Sequence, residues 1–397
     1  MEVQQSTPTK SPRIQYYAVD IAKFVFAFIV VAAHMYPFGS FTTAGDFLLI
    51  QGIARVVVPF FFLTSAFLFF SRMQPDKLKE DQSVRSLWRY VERIGIMYFF
   101  WTLLINGLLA LGYFIHGVKA GVFQLTRSFF LAAAYPFLVT STGRTSFTIW
   151  RQGSWDFSGI KDFLYHIIQP FNQYHLWYFP ALMLGMVLVY FLLKRFRPIW
   201  VVILGVFLFF LGSPGDAYYG ITAYVPIVRV WMNQYISMFY TTRNGVFFAT
   251  LFLAIGAWLA WNPIKVRPKI SKTIFWLAFA GMLIESQILR HFQIQRDYNF
   301  YFFSIPAAIF LLLWLKEVSL KPRPIYQWFR EASIIVYCSH GIFVIMIPAV
   351  VTLMNVTGFL SNSLLKFIYV YGFSVGFAAL VLWLEKKPKF QWLRYLH

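Results

Sequence analysis

YYAVDIAKFVFAFIVVAAHMYP, residues Tyr16 to Pro37, decides how the rest of the chain is read. Its length suits a bilayer crossing, which takes about 20 residues. Three side chains sit awkwardly in such a span: Asp20, Lys23 and His34. A Lys near the centre of a membrane helix costs on the order of 2.5–3.5 kcal/mol on insertion scales, so it needs a partner or a purpose. Lys23 and His34 are eleven residues apart. At about 100° per residue that is about three turns, which puts both on one face, roughly 16 Å apart along the axis. Taken singly, Lys23 can snorkel to one surface and His34 can sit in the opposite headgroup layer. Taken together on one face, they read as a polar track through the membrane.

Working outward, the 397 residues are 59% hydrophobic and 21% aromatic, with mean hydropathy +0.61. That composition excludes a soluble enzyme and implies a polytopic membrane protein. The formal charge of +20 would alone suggest nucleic acid. Its placement beside apolar runs explains it as membrane topology, so no nucleic acid is expected among the partners. The one cysteine, Cys338, rules out an internal disulfide and a Cys-built zinc site, and no metal is expected. Cys338 lies in an apolar run and reads as packing. The first apolar run is too long and too polar for a signal h-region, so it is expected to remain as an anchor.

The hydropathy pattern predicts an all-α fold of about ten transmembrane helices, near 16–37, 51–71, 93–115, 174–193, 198–212, 244–261, 272–288, 298–315, 333–353 and 364–384. Two further segments read as interfacial or re-entrant. One, near 122–140, is broken by Arg127 and Pro136; the other, near 217–242, is aromatic-rich with Arg229 and Asn233. The expected division is a tail at 1–15, a membrane domain at 16–384 and a basic tail at 385–397. The loops at 194–197, 262–272 and 316–330 are basic and fall on the side of the termini. The positive-inside rule then places both termini in the cytoplasm. No internal repeat is visible, so the inverted-repeat signature of many transporters is missing.

With that orientation the polar residues sort by depth. His34, Arg55, His175, Tyr178, Arg243, Asn244 and Glu285 fall in the outer third. Several helices contributing polar groups at one level is what an outward-facing pocket requires. A hydrated rim would explain Trp177 and Arg290 well, and Arg55 and His34 less well. Lys23 falls in the inner third, and His340 is expected there too, about two turns from the start of its helix. Arg89 and Arg93 are one turn apart at the inner mouth of the third span. A basic inner mouth, an inner Lys and an outer His suit an acyl-CoA entering from the cytoplasm, since its phosphates favour Arg and Lys.

Four stretches in order resemble the acyltransferase 3 family, integral membrane proteins that O-acylate cell-surface glycans. VDIAKFVFAFIVVAAH resembles the family's opening helix, whose mark is a basic residue, ten residues, then His; here these are Lys23 and His34. VPFFFLTSAFLF (58–69) resembles the second helix. YHLWYFPALMLGMVLVYFL (174–192) and TTRNGVFFATLFLAIGAWL (241–259) resemble the branch in Gram-positive bacteria, which includes the membrane part of serine racemases tied to vancomycin resistance. ASIIVYCSHGIFVI (332–345) resembles the late helix that ends in His. The resemblance covers essentially the whole chain. Lys23 stands where many members have Arg, which keeps the charge but loses the bidentate fork. Arg89 and Arg93 are spaced more widely than in some members. No hydrolase-like domain follows the last span, so direct acylation of the acceptor, or a separate extracytoplasmic acyl-accepting partner, is expected.

The implied chemistry is transfer of an acyl group, acetyl first, from cytoplasmic acyl-CoA to a hydroxyl of an extracytoplasmic or lipid-linked glycan. His34 would be the general base, since unperturbed imidazole titrates near 6.5. Lys23, Arg89 and Arg93 would hold CoA. Arg55 or Arg243 would stabilise the oxyanion or bind acceptor, and His175, Tyr178, Asn244, Glu285 and His340 would line the acceptor side. Asp20, three residues before Lys23, is expected to pair with it. Acetyl-CoA is then a donor substrate, with no permanent cofactor, in the bacterial cytoplasmic membrane. The competing reading is a membrane transporter of a small molecule such as an amino acid. A scaffolding subunit would leave Lys23 and His34 without a reason.

Overall fold

The computed structural model describes residues 15–119, 175–239, 241–353 and 362–397. The expected segment near 122–140 and nearly all of the 1–15 tail lie outside the described residues. Helix α1 is Tyr17–Met35 and ends where Tyr36 turns left-handed, at φ 50°, just before Pro37. Helix α2 is Thr43–Phe70 and starts earlier than the apolar pattern indicated. It is not uniform: a π turn at Leu48–Gly52 and a 3-10 turn at Ile53–Val56 precede the regular helix. Helix α3, Asp81–Lys119, starts twelve residues before the expected 93 and carries Arg85, Arg89 and Arg93.

Helices α4 (Tyr178–Arg195) and α5 (Pro198–Gly212) follow, with Pro198 at the first position of α5, where its missing N–H costs nothing. Helix α6, Pro226–Phe239, is short and leaves Ile227, Val230 and Trp231 exposed, the form expected of an interfacial piece. Helix α7, Gly245–Trp261, opens on a second π turn, Gly245–Ala249. Helices α8 (Pro268–Phe292), α9 (Ser304–Lys316), α10 (Pro324–Leu353) and α11 (Ser363–Leu384) complete the set. Among the described residues there is no strand. Among the described residues, six helices are long and apolar enough to cross a membrane, α7 and α9 are shorter apolar helices, and α3 and α10 are long. The chain is an all-α polytopic membrane protein.

The surface of α5 shows why. Ile199, Ile203, Phe207 and Phe210 are exposed along one side, while Val201, Gly205, Phe209 and Gly212 are buried on the other. An apolar stripe turned outward suits lipid, not water. Inside, α2 packs along α7, α5 lies on α7, α3 on α4, and α8 on α9, while α1 lies against α10 and α11. Rings set the α1–α10 register: Tyr17 meets Tyr326 at 5.1 Å and Phe24 meets Phe329 at 4.8 Å. The two helices therefore run side by side in the same direction.

Association of helices in lipid rests on close packing, for which small residues make room. A Cβ on Gly256 would lie 2.3 Å from the Leu63 carbonyl oxygen and 3.0 Å from Ala66 Cβ. Gly256→Ala is expected to destabilise the α2–α7 contact by about 1–3 kcal/mol, read as a lower Tm of the purified protein in detergent. Gly376, with nothing within 4 Å of a built Cβ, is the control: Gly376→Ala should leave Tm unchanged or raise it.

Candidate active site

His34 lies in the last turn of α1 and its side chain is exposed. Its ring stacks on that of His340 at 5.3 Å and lies 6.2 Å from that of His175. The His175 and His340 rings are 4.4 Å apart, and both residues are buried. The pattern-based expectation put His340 in the inner third, apart from His34; the structure corrects this. Helix α10 begins at Pro324, so His340 lies about 24 Å into it. Because α1 and α10 start at the same end, His340 arrives at the depth of His34.

Two of the three imidazoles are fixed by carbonyl groups. His340 Nδ1 is 2.7 Å from the Tyr337 carbonyl oxygen, and His175 Nε2 is 3.3 Å from that of Cys338. A carbonyl only accepts, so these nitrogens carry protons and donate. The Tyr337 hydroxyl donates to the His175 carbonyl and holds the turn before α4. Gly341 makes room: a Cβ there would lie 2.4 Å from His175 Cε1. His34 is the member of the trio with an exposed ring, and so the one able to meet a substrate.

Beside the histidines stand two arginines from different helix entries. Arg55, in the 3-10 turn of α2, donates from Nη1 to Asn299 Oδ1 at 2.5 Å and from Nε to Gln51 Oε1 at 3.0 Å. Arg243, just before α7, donates to the same Asn299 oxygen at 3.1 Å and lies over the Trp177 ring at 4.6 Å. Both charges reach His34. Asp297 stands 3.7 Å from each guanidinium. Asn299 is held in turn by Asp216, whose oxygens accept from its backbone N–H at 2.7 Å and its side-chain amide at 2.8 Å. Burial pushes Asp297 upward, but the Arg55 and Arg243 charges outweigh it and hold the carboxyl below its usual range. Asp216 goes the other way: burial first, then the nearby Asp297 charge, raise it to about 6. Each π turn lies next to one of these arginines, and each has a carbonyl satisfied by a hydroxyl. Tyr301 donates to Gln51 at 2.7 Å and Thr250 to Gly245 at 2.8 Å.

At the other end of α1, Lys23 is half-buried. Asp20 forms an ion pair with Arg330 of α10 at 3.9 Å, in place of the expected pair with Lys23, although its charge reaches Lys23. Arg72 also acts on Lys23 and on Tyr90. This end is therefore basic, with contributions from α1, α10 and the end of α2.

The remaining expected residues are distributed as follows. Tyr178 packs on Phe62 at 4.7 Å, and its hydroxyl meets Ser65 at 3.0 Å. Glu285 accepts from the N–H groups of Phe302 and Phe303 at 2.8 and 3.0 Å and from the Tyr218 hydroxyl. It caps the start of α9 from α8. Asn244 caps α7 through the N–H groups of Val246 and Phe247 and donates to the Tyr235 hydroxyl at 2.8 Å. Arg89 is exposed, and Arg93 donates to the His397 carbonyl at 2.6 Å. Asp216 and Asn299 escaped the sequence reading. Asp216 follows an apolar run, and Asn299 fell inside the expected span at 298–315, whose helix starts at Ser304. Among the described residues, no group of three or more His, Cys, Asp or Glu is placed to hold a metal ion.

Comparison with known proteins was made against this geometry. A family model described as "Acyltransferase domain" matches residues 16–383. An "Amino-acid racemase" of Enterococcus faecalis is 27% identical over 372 residues, 93% of this chain and 46% of that protein. A second from the same organism is 28% identical over 293 residues, 74% of this chain and 35% of that protein. A "Serine/alanine racemase" of Enterococcus gallinarum is 26% identical over 381 residues, 95% of this chain and 47% of that protein. The chain thus spans less than half the length of these relatives. No solved structure matches it.

Gly341→Ala should lower Tm by pressing on the His175 ring, and the double variant Gly341→Ala/His175→Ala should recover part of the loss. No recovery would place His175 elsewhere. Asp216 supplies a pH signature. Its folded pKa, about 6, lies above the ordinary 3.8, so the folded state holds the extra proton between those values. The stability from this group is present below 3.8 and lost as pH rises through about 6. Raising the pH from about 5 to about 7 should therefore lower Tm less in Asp216→Asn than in the wild type.

Proposed function

The chain belongs to the acyltransferase-domain family, and from that premise we propose that it moves an acyl group, acetyl first, from acyl-CoA to a hydroxyl of a cell-surface or lipid-linked glycan. The observation that carries this reading is the layout of α1. A basic residue stands at one end, and at the other an exposed imidazole is set against two buried ones beside two guanidiniums. The two ends are roughly 16 Å apart along the helix. A long donor with phosphates at one end and a thioester at the other fits that separation.

In this reading the Lys23 end faces the cytoplasm, as the basic loops indicate. Lys23, with Arg72 and Arg330 nearby, receives the CoA phosphates. Arg89 is exposed at the same mouth; Arg93, tied to His397, helps if that contact opens. The thioester reaches His34. Its imidazole takes the proton from the acceptor hydroxyl as the oxygen attacks the thioester carbonyl carbon. The tetrahedral oxyanion collapses, the C–S bond breaks, and the thiolate of CoA takes the proton back from His34. Arg55 and Arg243 carry positive charge beside the reacting carbonyl and the acceptor. Their shared anchoring on Asn299 favours acceptor binding. His340 and His175 orient the His34 ring, and Tyr178 lines the wall. Glu285 and Asn244 act by holding α9 and α7. The protein would work in the bacterial cytoplasmic membrane, with the acyl-CoA, a glycan or lipid-linked acceptor and membrane lipids as partners. A separate acyl-accepting protein outside the membrane is compatible with this scheme.

The second reading is a transporter of a small molecule such as an amino acid. It is favoured by the racemase names of relatives of which this chain covers less than half. The two readings part on acyl-CoA. With purified protein and radiolabelled acetyl-CoA, His34→Ala should keep binding and lose about 10²–10⁴-fold in thioester turnover. Lys23→Ala should weaken binding about tenfold, the loss of one phosphate contact. A folded wild type that binds no acetyl-CoA would overturn the transferase reading, and uptake of amino acids into vesicles would then be the assay.

A further inference from the structure

Resting on the acyl-transfer reading, we propose that Arg55 and Arg243 form a subsite for an anionic group on the acceptor, a phosphate or a carboxylate. Asp297 is the internal carboxylate that occupies this subsite in the acceptor's absence. The two guanidiniums hydrogen-bond to one atom, Asn299 Oδ1, at 2.5 and 3.1 Å. Like charges gathered that closely in a partly buried place require an anion between them. Asp216 does not fill that place. It lies behind Asn299 with both oxygens engaged by that residue's N–H groups, and it supports the arginines indirectly.

Asp297 does fill it, loosely. Its carboxylate is 3.7 Å from each guanidinium, beyond hydrogen-bond distance, and one of its oxygens accepts from the Tyr298 N–H at 2.8 Å. Its side chain is 43% exposed, against 16% for Arg55 and 22% for Arg243. The residue sits in the connection between α8 and α9, outside any helix. The arginines are held from behind by neutral groups: Gln51 and Asn299 for Arg55, Asn299 and the Trp177 face for Arg243. A loosely seated, partly exposed carboxylate over two braced guanidiniums marks where an incoming oxyanion can bind through direct, charge-assisted hydrogen bonds. Arg243 lies over Trp177, two residues after His175, whose ring is 6.2 Å from that of His34, so such an anion would sit on the side of the hydroxyl being acylated. An uncharged glycan would leave Asp297 in place, so the pair selects for anionic acceptors.

The test uses the whole chain in detergent at constant ionic strength, with glucose 1-phosphate, glucuronate and glucose as probes in titration calorimetry. The wild type should bind at least one anionic probe about tenfold tighter than glucose; which of the two wins identifies phosphate or carboxylate. Asp297→Asn should tighten the anionic probe by about tenfold and leave glucose unchanged. Arg55→Gln and Arg243→Gln should weaken the anionic probe. If an arginine variant fails to fold, Asp297→Asn, a near-isosteric change outside any helix, decides alone. Equal binding of the three probes by wild type, or weaker anion binding by Asp297→Asn, would overturn the proposal. Acetyl-CoA binding measured on the same preparations separates the two ideas. Its absence with anion preference intact removes the acyl donor and keeps the subsite; its presence without anion preference does the reverse.

Discussion

A guanidinium inside an apolar bundle must find its hydrogen-bond acceptors in the protein, because the bilayer offers none. Arg55 and Arg243 share one such acceptor, the side-chain oxygen of Asn299. Asn299 is itself oriented by Asp216, so a single node ties together the entry of α2, the entry of α7, the α8–α9 connection and the end of α5. The irregular turns at Leu48–Gly52 and Gly245–Ala249 follow from the same demand. Each lies next to one of the arginines, and side-chain hydroxyls from Tyr301 and Thr250 satisfy carbonyls in them.

The node sits beside a second convergence of a different kind. His34, His175 and His340 come from three separate stretches and meet because helices approach closely there. The approach depends on the absence of a side chain at Gly341, as that at the α2–α7 contact depends on Gly256. The Ser40 N–H donates to the Ser363 hydroxyl, the Ser363 N–H donates back to the Ser40 hydroxyl, both at 2.9 Å, and the Ser363 hydroxyl donates to the Pro37 carbonyl. These bonds fasten the chain just beyond His34 to the start of α11. The result is a packed wall with one exposed imidazole on it, an arrangement that suits the base role proposed for His34.

Polar residues in a membrane chain are conspicuous, and their conspicuousness does not reveal their use. Arg55 and Glu285 look alike in sequence, each a charge near the end of an apolar run. In the structure one faces the site, and the other caps α9 through the N–H groups of Phe302 and Phe303. Asp20 looks like the partner of Lys23 and instead pairs with Arg330, 310 positions away. Asp216 looks like part of a turn, and it braces the arginine node.

What the amino-acid order determined by itself is what depends on local periodicity and transfer energy. These are the apolar runs that become helices, the placement of Lys23 and His34 on one face of α1, and the basic connections. Burial of a CH₂ group or a charge is decided largely by the medium, so composition suffices. Only the tertiary structure decided which charges meet. Contacts such as Asn299 with Asp216, or His34 with His340, join residues tens to hundreds of positions apart. Their geometry depends on where each helix begins and how closely its neighbours pack, and a helix that starts at Pro324 in place of the expected 333 moves His340 by about two and a half turns of depth.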